Sequence, residues 1–277
     1  MSLRSMIVSA ALIPGFAILA LGLGGASEAR APGPAAVVSL TAEGACHTQG
    51  ITVAGDRLYV SCVDRARRRG LIYRFRVPEG FPTGTEALAG PMVKDVTAGA
   101  MYHPSGLDHD DQCVWVAVAH YRAARAKAKV MCLDPETLEE RSSFPVDDHI
   151  GTLAVMGETI VGWNWDAKKI YRFTKDGRPL GIDPSSAEVS YQDCKGVSDN
   201  EVLCSGPLPA KGKDQPAAVE LLTFDPRGPV WSVSRQALIA SPGVSLGNEG
   251  FSPWGLYWLF LPEDFPHARL FFYPRPQ

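Results

Sequence analysis

The feature that most constrains the fold is a repeat. A glycine followed by an apolar residue, a turn and a strongly apolar strand recurs five times: QGITVAGDRLYVSC, SGLDHDDQCVWVAVA, IGTLAVMGETIVGWN, KGVSDNEVLCSG and EGFSPWGLYWLFL. The glycines are Gly50, Gly106, Gly151, Gly196 and Gly250, at intervals of 56, 45, 45 and 54 residues. A second apolar strand follows each copy (GLIYRFRV, KVMCLD, KIYRFTKDG, VELLTFDP, ARLFFYP), and four of the five add a more irregular third stretch. The last copy lacks that stretch because the chain ends at Gln277, but AVVSLTA at 36–42 precedes the first copy and can supply it. Self-similarity at about 50 residues with four short strands per unit is the signature of a β-propeller. The reading is an all-β, five-bladed β-propeller whose ring is closed by the N-terminal strand. A six-bladed ring is the alternative, but it would have to hide two blades in one 56-residue interval. A β-sandwich would not explain the period.

The first blade carries the most specific motif, HTQGITVAGDRLYV followed by GLIYRF. Through Thr48-Gln49-Gly50-Ile51 and Leu58-Tyr59 it resembles the blade repeat of plant-type glutaminyl cyclotransferases. The resemblance implies a secreted five-bladed propeller and an acyl-transfer activity of the glutaminyl cyclotransferase kind. That family carries its catalytic Glu just before the second-blade glycine, where this chain has Ser105, and the N-E-L-E-Y motif of a later blade has no counterpart. A propeller family without an assigned activity fits the pattern equally well. WD repeats are excluded, because their Gly-His and Trp-Asp marks do not recur.

Residues 1–29 read as an export signal and 30–277 as a single propeller domain. Arg4 is the only charge before Glu28, the run Met6–Leu23 is apolar or small, and Ser27-Glu28-Ala29 places small residues at a cleavage site. The alternative is an uncleaved anchor, which would be the chain's one link to a membrane. Either way the expected location is secreted or periplasmic. Six cysteines in an oxidising compartment suggest disulfides. Cys46 and Cys62, Cys113 and Cys132, and Cys194 and Cys204 each flank a turn or charged loop, so each consecutive pair is expected to staple neighbouring strands of one blade. Zinc ligation by cysteine lacks the Cys-x-x-Cys spacing it would need. A net charge of −3 argues against nucleic acid as a partner.

In a propeller the residues just before each glycine crowd one mouth of the central channel. Three positions before stand His47, His103, Asp148, Asp193 and Gly247; one before stand Gln49, Ser105, Ile150, Lys195 and Glu249; His149 and Asn248 fall between. Such a ring has three readings. His47, His103 and His149, with a carboxylate, could ligate a divalent metal, Zn or Fe(II). Without a metal, the histidines with Asp193, Lys195, Gln49 and Glu249 form an acid–base set. Or these groups only cap strand ends. Loops on the same face carry Arg65, Arg67, Arg68 and Arg69, then Arg122, Arg125, Lys127 and Lys129, then Lys168, Lys169, Lys211 and Lys213. Only the fifth loop, with Glu263 and Asp264, is acidic. A basic rim would draw in a small anionic molecule, or dock an acidic protein. Trp163 and Trp165, on one side of a strand by alternation, could form a stacking wall or pack between blades. Asp108–Asp111 reads as a solvated turn on the opposite face.

Overall fold

A computed structural model describes residues 33–276 apart from 123–125, 210–214, 226–227 and 242. The expected export signal, Arg125, Lys211 and Lys213 lie outside the described residues. Strand β1 (Ala36–Thr41) comes first. Blade 1 follows with β2 (His47–Ala54), β3 (Arg57–Asp64) and β4 (Arg69–Arg76), then a short β5 (Ala87–Ala89), and is completed by β6 (Met92–Asp95). Blade 2 is β7 (Met101–His109), β8 (Val114–His120), β9 (Ala128–Leu133) and β10 (Glu140–Val146). Blade 3 is β11 (Ile150–Met156), β12 (Thr159–Asn164), β13 (Lys169–Thr174) and β14 (Pro179–Pro184). Blade 4 is β15 (Asp193–Gly196), β16 (Glu201–Pro207), β17 (Ala217–Phe224) and β18 (Val230–Ile239). Blade 5 is β19 (Gly250–Trp254), β20 (Tyr257–Leu261) and β21 (Arg269–Pro274).

The ring closes as expected. β1 pairs antiparallel with β21, from Ala36↔Phe272 to Ser39↔Arg269. β5 then pairs in parallel with the outer edge of β1, so a segment of blade 1 covers the closing strand. Among the described residues the fold is all-β, five-bladed, with no helix long and apolar enough to cross a membrane.

Why each repeat needs its glycine is steric. The inner strands converge on the axis, and there is no room for a side chain. A Cβ on Gly50 would stand 2.5 Å from Gly106 Cα, and one on Gly196 would collide with the Val155 carbonyl. On Gly106 it would meet Thr152 Oγ1 at 2.5 Å, Asp193 Oδ1 at 2.6 Å and the Gln192 carbonyl at 2.8 Å. Gly106→Ala is therefore expected to cost about 1–3 kcal/mol of unfolding free energy, as overpacking does. Urea denaturation tests it, and a change below about 0.5 kcal/mol would contradict it.

Between blades the apolar faces pack against one another. One cluster joins blades 1 and 5 through Leu40, Leu58, Phe75, Phe265 and Phe272. Others join blades 2 and 3, and blades 3 and 4. All three disulfides form as read from the spacing: Cys46–Cys62, Cys113–Cys132 and Cys194–Cys204, with Cα–Cα distances of 5.6, 5.2 and 4.1 Å. Cys194 faces Cys204 directly across the β15–β16 ladder. Three disulfides and no free cysteine among the described residues mark a protein of an oxidising compartment.

Candidate functional site

At the mouth where the inner strands begin, a cavity of about 700 Å³ lies over the propeller axis. His47, Gln49, Arg65, His103, Tyr121, Trp165, Lys168, Glu188 and Glu249 all line it. Gln49 owes its position to a bulge. The β2–β3 register slips between Thr48 and Gly50, which re-aims the side chain between them. β15 has no such slip, and strict alternation puts Asp193 and Lys195 on one face, pointing inward.

The cavity has an acid–base side. His47 Nδ1 lies 2.9 Å from Asp264 Oδ1, and Thr48 N–H donates to the same oxygen at 3.0 Å. That pairing turns His47 Nε2 toward Glu249, 3.6 Å from Oε1. Gln49 Nε2 lies 3.5 Å from the other Glu249 oxygen. Burial, with the Asp264 charge nearby, raises the Glu249 carboxyl well above the ordinary carboxylate range; the Arg65 guanidinium works the other way. Burial would also raise Asp264, but the bonds from His47 and Thr48 outweigh it and hold Asp264 low. A carboxyl whose burial favours its protonated form and an imidazole fixed by a carboxylate thus share one pocket.

The other side is aromatic. His103 and His149 meet at 3.2 Å, Nδ1 to Nε2. The Trp165 ring lies 5.2 Å from His103 and 4.8 Å from His149, and Tyr121 stands edge-on to His103 at 5.2 Å. Burial, reinforced by neighbouring positive charge, lowers His103 to about 3. Burial lowers His149 to about 4, against the pull of Asp148. Both imidazoles are neutral at pH 7, and buried Nδ1 of His149 has no partner among the described residues.

Not every residue read from the sequence reaches this cavity. Asp193 and Lys195 are buried beneath it as an ion pair at 2.5 Å. Asp193 Oδ2 also accepts from Ile51 N–H at 2.8 Å and Phe251 N–H at 2.9 Å, tying blade 4 to blades 1 and 5. Asp148 turns outward to Tyr171 Oη at 2.5 Å. Asn248 is exposed in a short 3-10 turn, Leu246–Asn248, away from the cavity lining. Trp163 and Trp165 part company because the strand ends at Asn164: Trp163 is fully buried against Tyr191 between blades 3 and 4, and only Trp165 faces the cavity. The rim is less uniform than its composition implied. Arg67 pairs with Asp64 at 2.9 Å and Arg69 with Asp95 at 2.7 Å, so Arg65 and Lys168 carry the positive charge at the cavity. Asp108 corrects the reading of a solvated turn. It is buried, and its Oδ2 accepts from Val155 N–H and Gly196 N–H, both at 2.8 Å, joining blades 2, 3 and 4. Ser105 is buried as well, accepting from Ala117 N–H at 3.0 Å. Among the described residues no group of three or more His, Cys, Asp or Glu side chains is arranged to hold a metal ion.

A family model described as a family of unknown function (DUF6454) matches residues 34–275. The chain belongs to this family. No curated protein sequence matches it. In fold it is similar to the glutaminyl cyclase of Myxococcus xanthus, at 12% identity over 86% of this chain and 94% of that one, with a TM-score of 0.55. It is also similar to the exo-beta-1,3-galactanase of Phanerochaete chrysosporium, at 11% identity over 88% of this chain and 64% of that one, with a TM-score of 0.50. These likenesses support the propeller architecture of this chain, and at such identities they establish nothing more.

Proposed function

We propose that this exported propeller binds a small anionic ligand in the cavity over its axis and acts on it by acid–base chemistry. Arg65 and Lys168 draw in the anion, and Trp165 and Tyr121 flank its body. Glu249 holds a proton to donate, and His47 Nε2, oriented by Asp264, accepts one. The observation that carries this reading is Glu249: a carboxyl raised far from its ordinary range, inside a polar cavity, beside an oriented histidine. The expected environment is the periplasm or the exterior, which the three disulfides support.

Two alternatives make different demands. An acidic protein docking on the rim would depend on Arg65, Arg68 and Lys168 but not on Glu249. A glutaminyl cyclotransferase-like acyl transfer is favoured by one observation. Glu249 stands one residue before the fifth glycine, the sequence position that the cyclotransferase pattern gives its Glu before the second, and it lines the cavity.

The test is a thermal-shift screen of carboxylates, phosphate esters and an N-terminal glutaminyl peptide, on wild type, Arg65→Ser and Glu249→Gln. A ligand at a hundredfold its Kd should stabilise wild type by about 2.7 kcal/mol. Arg65→Ser should abolish the shift. Glu249→Gln should retain binding and slow turnover about 10²–10⁴-fold. Binding unchanged in Arg65→Ser, or turnover unchanged in Glu249→Gln, would overturn the proposal, and conversion of the glutaminyl peptide alone would select the acyl-transfer reading.

A further inference from the structure

Beyond the main cavity, across Tyr121, lies a second one of about 260 Å³. Its lining is Arg68, Ala100, Tyr102, His120, Tyr121 and Arg122, with two arginines and no acid. Tyr102 and Tyr121 stack ring on ring, 5.6 Å apart and 7° from parallel. An arginine covers each: Arg65 lies 5.6 Å over Tyr121 and Arg68 lies 5.6 Å over Tyr102. A guanidinium attracted to a ring face keeps N–H groups that can fork an oxyanion.

Two further observations mark this cleft as more than a charged loop. Arg67 and Arg69 each pair with an aspartate, whereas Arg68 and Arg122 have no ion-pair partner among the described residues. Arg68 also adopts a left-handed backbone, with φ of 55°. Leu138 and Ala167 do so too, but both are wholly buried and packing holds them there. Arg68 is exposed, in a turn where glycine or asparagine would sit more easily. It closes the short β3–β4 turn beside the Asp64↔Arg69 pair, and its guanidinium lies over Tyr102.

We propose that this cleft is a second oxyanion site, and that the ligand of the main cavity carries two acidic groups, one held by Arg65 and Lys168 and the other, beyond Tyr121, by Arg68 and Arg122. The two-group ligand rests on the proposed function; the oxyanion site stands by itself.

Titration of ring-labelled tyrosine signals by NMR tests it, with Tyr102 assigned from Tyr102→Phe and four probes: inorganic phosphate, acetate, and series of straight-chain dicarboxylates and phosphonocarboxylates. Phosphate should shift the Tyr102 signal in wild type and equally in Glu249→Gln. Acetate shifting it as strongly would identify a carboxylate as the second group; a response to phosphate alone would identify a phosphate or sulfate. In Arg68→Gly/Arg122→Ser the affinity should fall at least tenfold. That variant relieves the left-handed residue, so its folding is not at risk, and melting should confirm it. Where acetate moves the signal, one dicarboxylate length should bind wild type at least tenfold more tightly than the matching monocarboxylate; where phosphate alone moves it, one straight-chain phosphonocarboxylate should, and the double variant should lose that gain. A Tyr102 signal that phosphate and acetate leave unmoved would overturn the oxyanion site whatever happens in the main cavity. A shifted Tyr102 with no gain for any dicarboxylate or, where phosphate alone moves the signal, for any straight-chain phosphonocarboxylate, would overturn the two-group ligand and leave the oxyanion site standing. Failure of the main cavity itself would show separately, as an unmoved Trp165 indole signal.

Discussion

Replacing Asp193 with Ala is expected to destabilise the protein by about 3–5 kcal/mol, the cost of breaking a buried ion pair from one side. The carboxylate is wholly buried and three donors converge on it: Ile51 N–H, Phe251 N–H and Lys195 Nζ. Truncation would leave two backbone N–H groups and an ammonium without partners in a place water does not reach. It would also uncouple three blades at the axis, since Ile51, Phe251 and Asp193 belong to blades 1, 5 and 4. Asp193→Asn should cost less, because the amide oxygen can still accept from the backbone, and adding Lys195→Met should recover part of the remainder by removing the stranded charge. Equilibrium urea unfolding measures all three. A loss below about 1 kcal/mol in Asp193→Ala would show that the blades hold together without this tie.

The second large effect is on acid stability. His103 and His149 are neutral and buried, with values lowered to about 3 and about 4, whereas an unfolded histidine titrates near 6.5. Above 6.5 neither state binds these protons, and the stability associated with them is fully present. As pH falls below 6.5 the unfolded chain takes up protons that the fold refuses, so stability is lost by about 1.4 kcal/mol per pH unit for each histidine, down to about pH 4. Asp193, pushed up to about 6 by burial, and Glu249 act with the opposite sign, because the fold binds protons there before the unfolded chain does. Wild type alone would show a mixture. The difference in unfolding free energy between wild type and a His103→Gln/His149→Gln variant isolates the histidines, and it should shrink steadily from pH 7 to pH 4. A difference that stays constant over that range would mean that the two rings are solvated.

The propeller was legible because the constraint that produces it is local and repeated. The inner strands crowd together at the axis, most tightly at Gly50, Gly106 and Gly196, so a glycine marks each one, and the turn residues keep step with it. The closing strand followed from a missing part at one end and a spare one at the other. The site was only half legible. His47, Gln49, His103 and Glu249 reach the cavity because position before the glycine predicts depth in the channel. The same rule placed Asp193 and Lys195 at the mouth, but β15 lacks the bulge that re-aims Gln49, and alternation carries both inward. Trp163 and Trp165 separated for a related reason, since alternation ends where the strand does. Asp264 and Tyr121 were missed as partners because loop side chains obey turn geometry, which periodicity does not encode. The acidic fifth loop was the available signal: an acid that breaks a basic rim, on the face that holds His47, is a candidate partner for it.

The central claim is that burial in the cavity holds the Glu249 carboxyl well above the ordinary carboxylate range. Its most direct test is the carboxyl carbon resonance of Glu249, followed by ¹³C NMR across pH 3 to 9 in the disulfide-bonded protein and assigned from Glu249→Gln. The account predicts a midpoint well above 4.5, shifting further upward in Arg65→Ser, which removes the positive charge that favours the carboxylate. A midpoint at or below 4.5 would contradict it: Glu249 would then be an ordinary carboxylate, and the cavity would have no acid to offer.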